Sequence, residues 1–80
     1  MTYTLDGYVA TLATDGTYAV TARNDTTIGY LRPTLGGWKG IDIRTTTDGR
    51  HVETAVRETV QQAFEELLRK GGWRISSEDR

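Results

Sequence analysis

The sequence predicts an α+β fold: a four-stranded antiparallel meander, five-stranded if a short N-terminal strand forms, with one C-terminal amphipathic helix on one face. Three observations carry this. Threonine makes up 14 of the 80 residues, and 12 of these precede residue 50. Its β-branched side chain is stiff at χ1 and suits a pleated, half-wet sheet surface. Asp-Gly occurs three times, at Asp6-Gly7, Asp15-Gly16 and Asp48-Gly49, a pair that favours hairpin loops because both turn positions need positive φ. After Gly49 the apolar spacing changes from two to three and four, the mark of a helix stripe.

The elements follow in chain order. Thr2 to Leu5 forms the short extra strand if Asp6-Gly7 makes a hairpin. Tyr8-Val9-Ala10-Thr11-Leu12 and Thr17-Tyr18-Ala19-Val20-Thr21-Ala22 alternate with period two around Asp15-Gly16, the best hairpin of the three. Tyr8, Ala10 and Leu12 share one face, as do Tyr18, Val20 and Ala22. Asn24-Asp25 breaks the pattern, and Thr27 to Arg32 resumes it with Ile28 and Tyr30 on one side. Pro33 and Leu35-Gly36-Gly37 make a turn, and Trp38 to Arg44 follows with Ile41 and Ile43 on one face.

Val52, Ala55, Val56, Val60, Ala63, Phe64, Leu67 and Leu68 then form the helix stripe. Asp48 offers an N-cap, but Arg50 to Thr54 could pair back as a strand instead, so the start falls between Arg50 and Ala55. Lys70 complements the negative end of the helix dipole, and Gly71-Gly72 stops the helix, Gly71 taking the left-handed position. Trp73 and Ile75 return over one end of the core. Residues 1–75 thus make one domain, and 76–80 a polar tail. The expected core is Tyr8, Leu12, Tyr18, Val20, Ile28, Tyr30, Ile41 and Ile43 against Val56, Val60, Phe64, Leu67 and Leu68.

Composition removes several classes of function. With no cysteine there is no disulfide framework, metal thiolate or catalytic thiol. No apolar run approaches a membrane span, and the residues after Met1 do not read as a leader peptide. Ten basic and 11 acidic residues give a net charge of −1. The one histidine, His51, has no nucleophile or ligand set at a useful spacing, and Ser76 and Ser77 lie in the tail. Gly36-Gly37-Trp38-Lys39-Gly40 lacks the spacing of a phosphate-binding loop and the helix that should follow one. No catalytic residue, metal site or cofactor is expected.

Binding remains. If the helix covers one sheet face, alternation leaves Val9, Thr11, Ala19, Thr21, Arg23, Gly29, Leu31, Trp38, Gly40, Asp42 and Arg44 on the other. Trp38 stands out there, because a large apolar group in water either packs or binds, and Trp is common in interface hot spots. It either folds over Gly29 or Gly40 or touches a partner. The candidate binding residues are Arg23, Leu31, Arg32, Trp38, Lys39 and Arg44.

Between residues 26 and 50, Arg32, Lys39, Arg44 and Arg50 oppose Asp42 and Asp48, a local charge of +2. With Gly37-Trp38 opening a strand and an alanine-containing helix after it, residues 28–68 resemble in spacing the plant-type AP2 domain, and in architecture the arm-binding domain of tyrosine integrases. That likeness implies a sheet laid in the major groove of DNA, although the arginine-dense sheet face of those domains is missing here. The expectation is therefore a small, cytoplasmic, non-catalytic module that binds another protein or self-associates through the open face or an edge strand. DNA is the alternative partner, and no membrane is involved.

Overall fold

The computed structural model describes residues 1–45 and 49–74. It is an α+β fold with one antiparallel sheet of six strands in sequential order and one C-terminal helix. The strands are β1 (Thr2–Leu5), β2 (Tyr8–Leu12), β3 (Tyr18–Thr21), β4 (Thr27–Thr34), β5 (Gly37–Thr45) and β6 (His51–Glu53), followed by α1 (Val60–Lys70). The expected four or five strands become six because β1 forms and β6 takes residues 51–53, within the Arg50 to Thr54 stretch that the sequence left open between a helix start and a returning strand.

Local chemistry explains the turns. Asp6 and Gly7 both take positive φ, 51° and 87°, as a two-residue hairpin requires. Asp15-Gly16 also closes a hairpin, but with a longer loop: Ala13 N–H bonds Thr17 O, and Gly16 N–H bonds Ala13 O. Asp48, the expected N-cap, lies outside the described residues, and Thr59 caps the helix in its place. Its hydroxyl accepts from Gln62 N–H while the Gln62 side chain accepts from Thr59 N–H, a reciprocal capping box. At the other end Gly71 is right-handed and Gly72 takes the positive φ of 74°. Gly72 N–H bonds Arg69 O and Trp73 N–H bonds Leu68 O, the pairing of a Schellman motif one residue later than expected.

The helix starts late because the chain before it has better partners. Thr54 exchanges bonds with Gly40, through its N–H to Gly40 O and its hydroxyl from Gly40 N–H. Arg57 and Trp38 trade both backbone bonds, at 2.7 and 2.8 Å. Glu66 then accepts from Ala55 N–H and from the Arg57 side chain, both at 2.9 Å, which clamps this extended segment to α1. Val56, expected in the core, is 46% exposed.

Register decides the layers. Tyr3, Ala10, Val20, Gly29 and Asp42 lie side by side across five strands, and Tyr18, Leu31 and Gly40 form the next row. These rows face α1, which packs chiefly over β5 and β4. The buried set is Tyr8, Ala10, Tyr18, Val20, Ile28, Leu31, Val60, Ala63, Phe64, Leu67 and Leu68. Leu12, Tyr30 and Ile43, all expected inside, are 42%, 44% and 44% exposed, and Ile41 is half-buried. In β4 and β5 the two faces are the reverse of those expected. A shift of one residue exchanges every side chain between faces, and Ile28 joins the core only because the β3–β4 register slips between Val20 and Thr21.

Candidate binding surface

The reversal moves most of the expected binding residues. Leu31 is wholly buried under the helix and presents nothing to a partner. Trp38 is half-buried on the helix side, edge-on to Tyr18 with ring centroids 5.5 Å apart; of its two possible roles, packing is the one its position serves. Arg23 lies in the β3–β4 loop, where its side chain bonds Asp6 O and the Asp6 carboxylate. It rims a groove of about 490 Å³ also lined by Tyr8, Ala22, Asn24 and Trp73.

Arg44 belongs to a structural cluster on the helix side. Asp42 is wholly buried, and its carboxylate accepts from Arg44 N–H, the Arg44 guanidinium and Trp73 Nε1–H, at 2.8 to 3.1 Å. The guanidinium also bonds Gly71 O and lies 4.2 Å from the centre of the Trp73 ring. Burial pushes the Asp42 carboxyl up, but the hydrogen bonds from Arg44 and Trp73 and the charge of Arg44 hold it below its ordinary value. The cluster pins the segment after α1 to the sheet.

Arg32 and Lys39 do share the open face, directly opposite each other on β4 and β5. Lys39 is committed to Glu53 at 2.7 Å, and that ion pair holds the Glu53 carboxyl below its ordinary value. The open face also carries three residues assigned to the core, Tyr30, Ile41 and Ile43. One row runs Thr2, Thr11, Ala19, Tyr30, Ile41 and Glu53 across all six strands. Tyr30, Ile41 and, two residues along β5, Ile43 form an apolar band, with Ala19 and then Thr11 beside it on one side and Arg32, Lys39 and Glu53 on the other.

Sequence reasoning missed this band because alternating isoleucines signal a core face. The opposing signal lay in two glycines. A Cβ on Gly29 would stand 2.5 Å from Ile41 O and 3.1 Å from Leu67 Cδ2, and one on Gly40 would lie 3.0 Å from Leu67 Cβ. Glycines 29 and 40 face the helix so that its backbone can approach the sheet, which sends the isoleucines outward. Among the described residues, no helix is long and apolar enough to cross a membrane. No family model, curated protein or solved structure matches the chain.

Proposed function

We propose that the protein is a small cytoplasmic binding module without catalytic activity, and that it docks another protein on the open face of its sheet. The band of Tyr30, Ile41 and Ile43 carries this reading. Two of these large side chains, Tyr30 and Ile43, keep 44% of their surface in water. Contiguous exposed apolar groups rimmed by polar residues mark interaction surfaces, and tyrosine is enriched in interface hot spots. The partner's complement is an apolar patch with a carboxylate placed to meet Arg32.

The test is comparative capture from the native host with the parent chain and with Ile43→Asp. Ile43 is exposed, so the variant should melt within about 1 kcal/mol of the parent. A protein retained by the parent and lost by Ile43→Asp supports the reading, and binding in that complex should weaken by about 2 kcal/mol or more. Capture that is indifferent to Ile43→Asp overturns it.

Duplex DNA remains the rival because Arg32 and Lys39 are adjacent on this face. Its footprint is small, since Lys39 is paired and Arg44 lies on the opposite side of the sheet. Phosphate contacts release counterions and make affinity fall steeply with salt. Titrating a fluorescent duplex at low and at physiological salt decides it; no binding at low salt removes the DNA reading.

A further inference from the structure

The two edges of the sheet are built differently. At one edge, β6 has three residues, two of them His51 and Glu53, and its register against β5 shifts between Ile41 and Thr45. Short length, charge and irregular pairing are the devices that keep an edge strand from recruiting another chain. At the other edge, β1 is also short, with four residues, but has neither charge nor irregular pairing. Its sequence is Thr-Tyr-Thr-Leu, without charge or proline, in unbroken register with β2 from Thr2↔Thr11 to Leu5↔Tyr8.

The hydrogen-bond parity of β1 follows from its hairpin. Leu5 and Tyr8 close the two-residue turn, and Leu12 N–H donates to Met1 O at 3.1 Å. In an antiparallel pair, bonded and non-bonded positions alternate, so Met1, Tyr3 and Leu5 turn their main-chain groups toward β2. The N–H and C=O groups of Thr2 and Thr4 therefore aim away from the sheet, and both threonines are exposed. These two donors and two acceptors are arranged symmetrically about Tyr3.

We infer that β1 is a self-pairing edge whose occupant is β1 of a second copy of this chain. A two-fold axis through Tyr3, perpendicular to the sheet, sets Thr2 of each copy against Thr4 of the other and forms four main-chain hydrogen bonds. Identical surfaces meet, as a two-fold interface requires, and an uncharged strand brings no like charges together. The two Tyr3 side chains face each other across a non-bonded pair, where cross-strand side chains are closest. The product is a continuous twelve-stranded sheet with both helices on one side and both Tyr30 bands on the other. Pairing along a single short strand buries little surface, so the dimer is weak and forms at high concentration. It leaves the open face free and does not depend on the partner proposed there.

Sedimentation equilibrium of the full chain, run up to millimolar concentration, tests the pairing. The average mass should climb from 8.9 kDa toward twice that value. Thr4→Pro removes one outward N–H at an edge position that tolerates proline, and should weaken association at least tenfold. Thr2→Lys with Thr4→Lys, which leaves the backbone intact, should do the same by charge repulsion. Ile43→Asp should associate like the parent, and the Thr2 and Thr4 amides of the parent should exchange more slowly as concentration rises. A single monomeric species throughout overturns the inference. So does a dimer that survives both edge variants, or one lost only in Ile43→Asp, which would place the contact on the open face.

Discussion

Strands β2 and β3 and strands β4 and β5 solve the same problem in opposite ways. In β2 and β3 the helix side carries Tyr8, Ala10, Tyr18 and Val20, the outer side Val9, Thr11, Ala19 and Thr21, and alternation reads the faces correctly. In β4 and β5 the helix side carries Gly29, Leu31, Trp38, Gly40 and Asp42, while Tyr30, Ile41 and Ile43 face out. The difference lies in what covers each half. Helix α1 crosses β4 and β5 closely, with Ala63 and Leu67 against the two glycines. There the core is filled from the helix and the sheet must be thin. Over β2 no helix axis comes so near, and the sheet's own aromatic side chains fill the layer, with Trp73 6.3 Å from Tyr8.

Phe64, in the common core, sets the scale. It is almost wholly buried, and Phe64→Ala should cost about 3–5 kcal/mol, enough to unfold so small a domain in a denaturant titration. A loss below about 1 kcal/mol would mean that α1 does not pack as described. Gly29→Ala probes the thin half directly. Its added methyl meets a backbone oxygen, which cannot rotate away, so a cost of about 3 kcal/mol is expected, the upper range for overpacking. A neutral Gly29→Ala would break the comparison.

The Asp42 cluster gives the thin half a pH dependence. The folded carboxyl sits below its ordinary value, so its contribution is fully present above the unfolded pKa. It is lost as pH falls through the depressed folded value. Asp42→Asn should cost about 2 kcal/mol at neutral pH, discounted for the half-exposed Arg44. It should also flatten the acid limb of the stability curve below pH ~4. An unchanged acid limb in thermal melts would remove Asp42 as its source. Trp38→Ala should cost about 2 kcal/mol through lost burial and the lost ring contact with Tyr18. Circular dichroism is the better monitor, since Trp73 also fluoresces. A smaller loss accompanied by weakened partner binding would return Trp38 to the interface.

Ile43→Ala should have the smallest effect, below about 1 kcal/mol, because the side chain already meets water. Set against Gly29→Ala, it gives the sharpest contrast: removing a large apolar group costs less than adding a methyl on the opposite face of the neighbouring strand.

Much of the architecture was legible in the residues themselves. Turn chemistry named the hairpins at Asp6-Gly7 and Asp15-Gly16, period-two alternation placed β2 to β5, and period-3.6 spacing found Val60 to Leu68. Of the candidate binding residues, Arg32 and Lys39 do lie together on the open face, whereas Leu31, Trp38 and Arg44 lie on the helix side. Local sequence could not separate these outcomes, because alternation reports that a strand has two faces without saying which one is covered.

The sequence by itself therefore determined the α+β class, the order of the elements, the helix end at two glycines and the uncharged character of β1. Those properties depend on φ preferences, side-chain period and charge, all of which act within a few residues. Tertiary structure decided which face of β4 and β5 the helix covers and that residues 51–57 extend rather than coil. It also decided that Asp42 is buried among Arg44 and Trp73. Each of these depends on groups brought together from distant parts of the chain: Leu67 over Gly29, Arg57 beside Trp38, Trp73 beside Asp42. Close approach of helix to sheet outweighed the local apolar pattern because a clash with backbone admits no compromise, whereas an exposed isoleucine costs only its share of buried area.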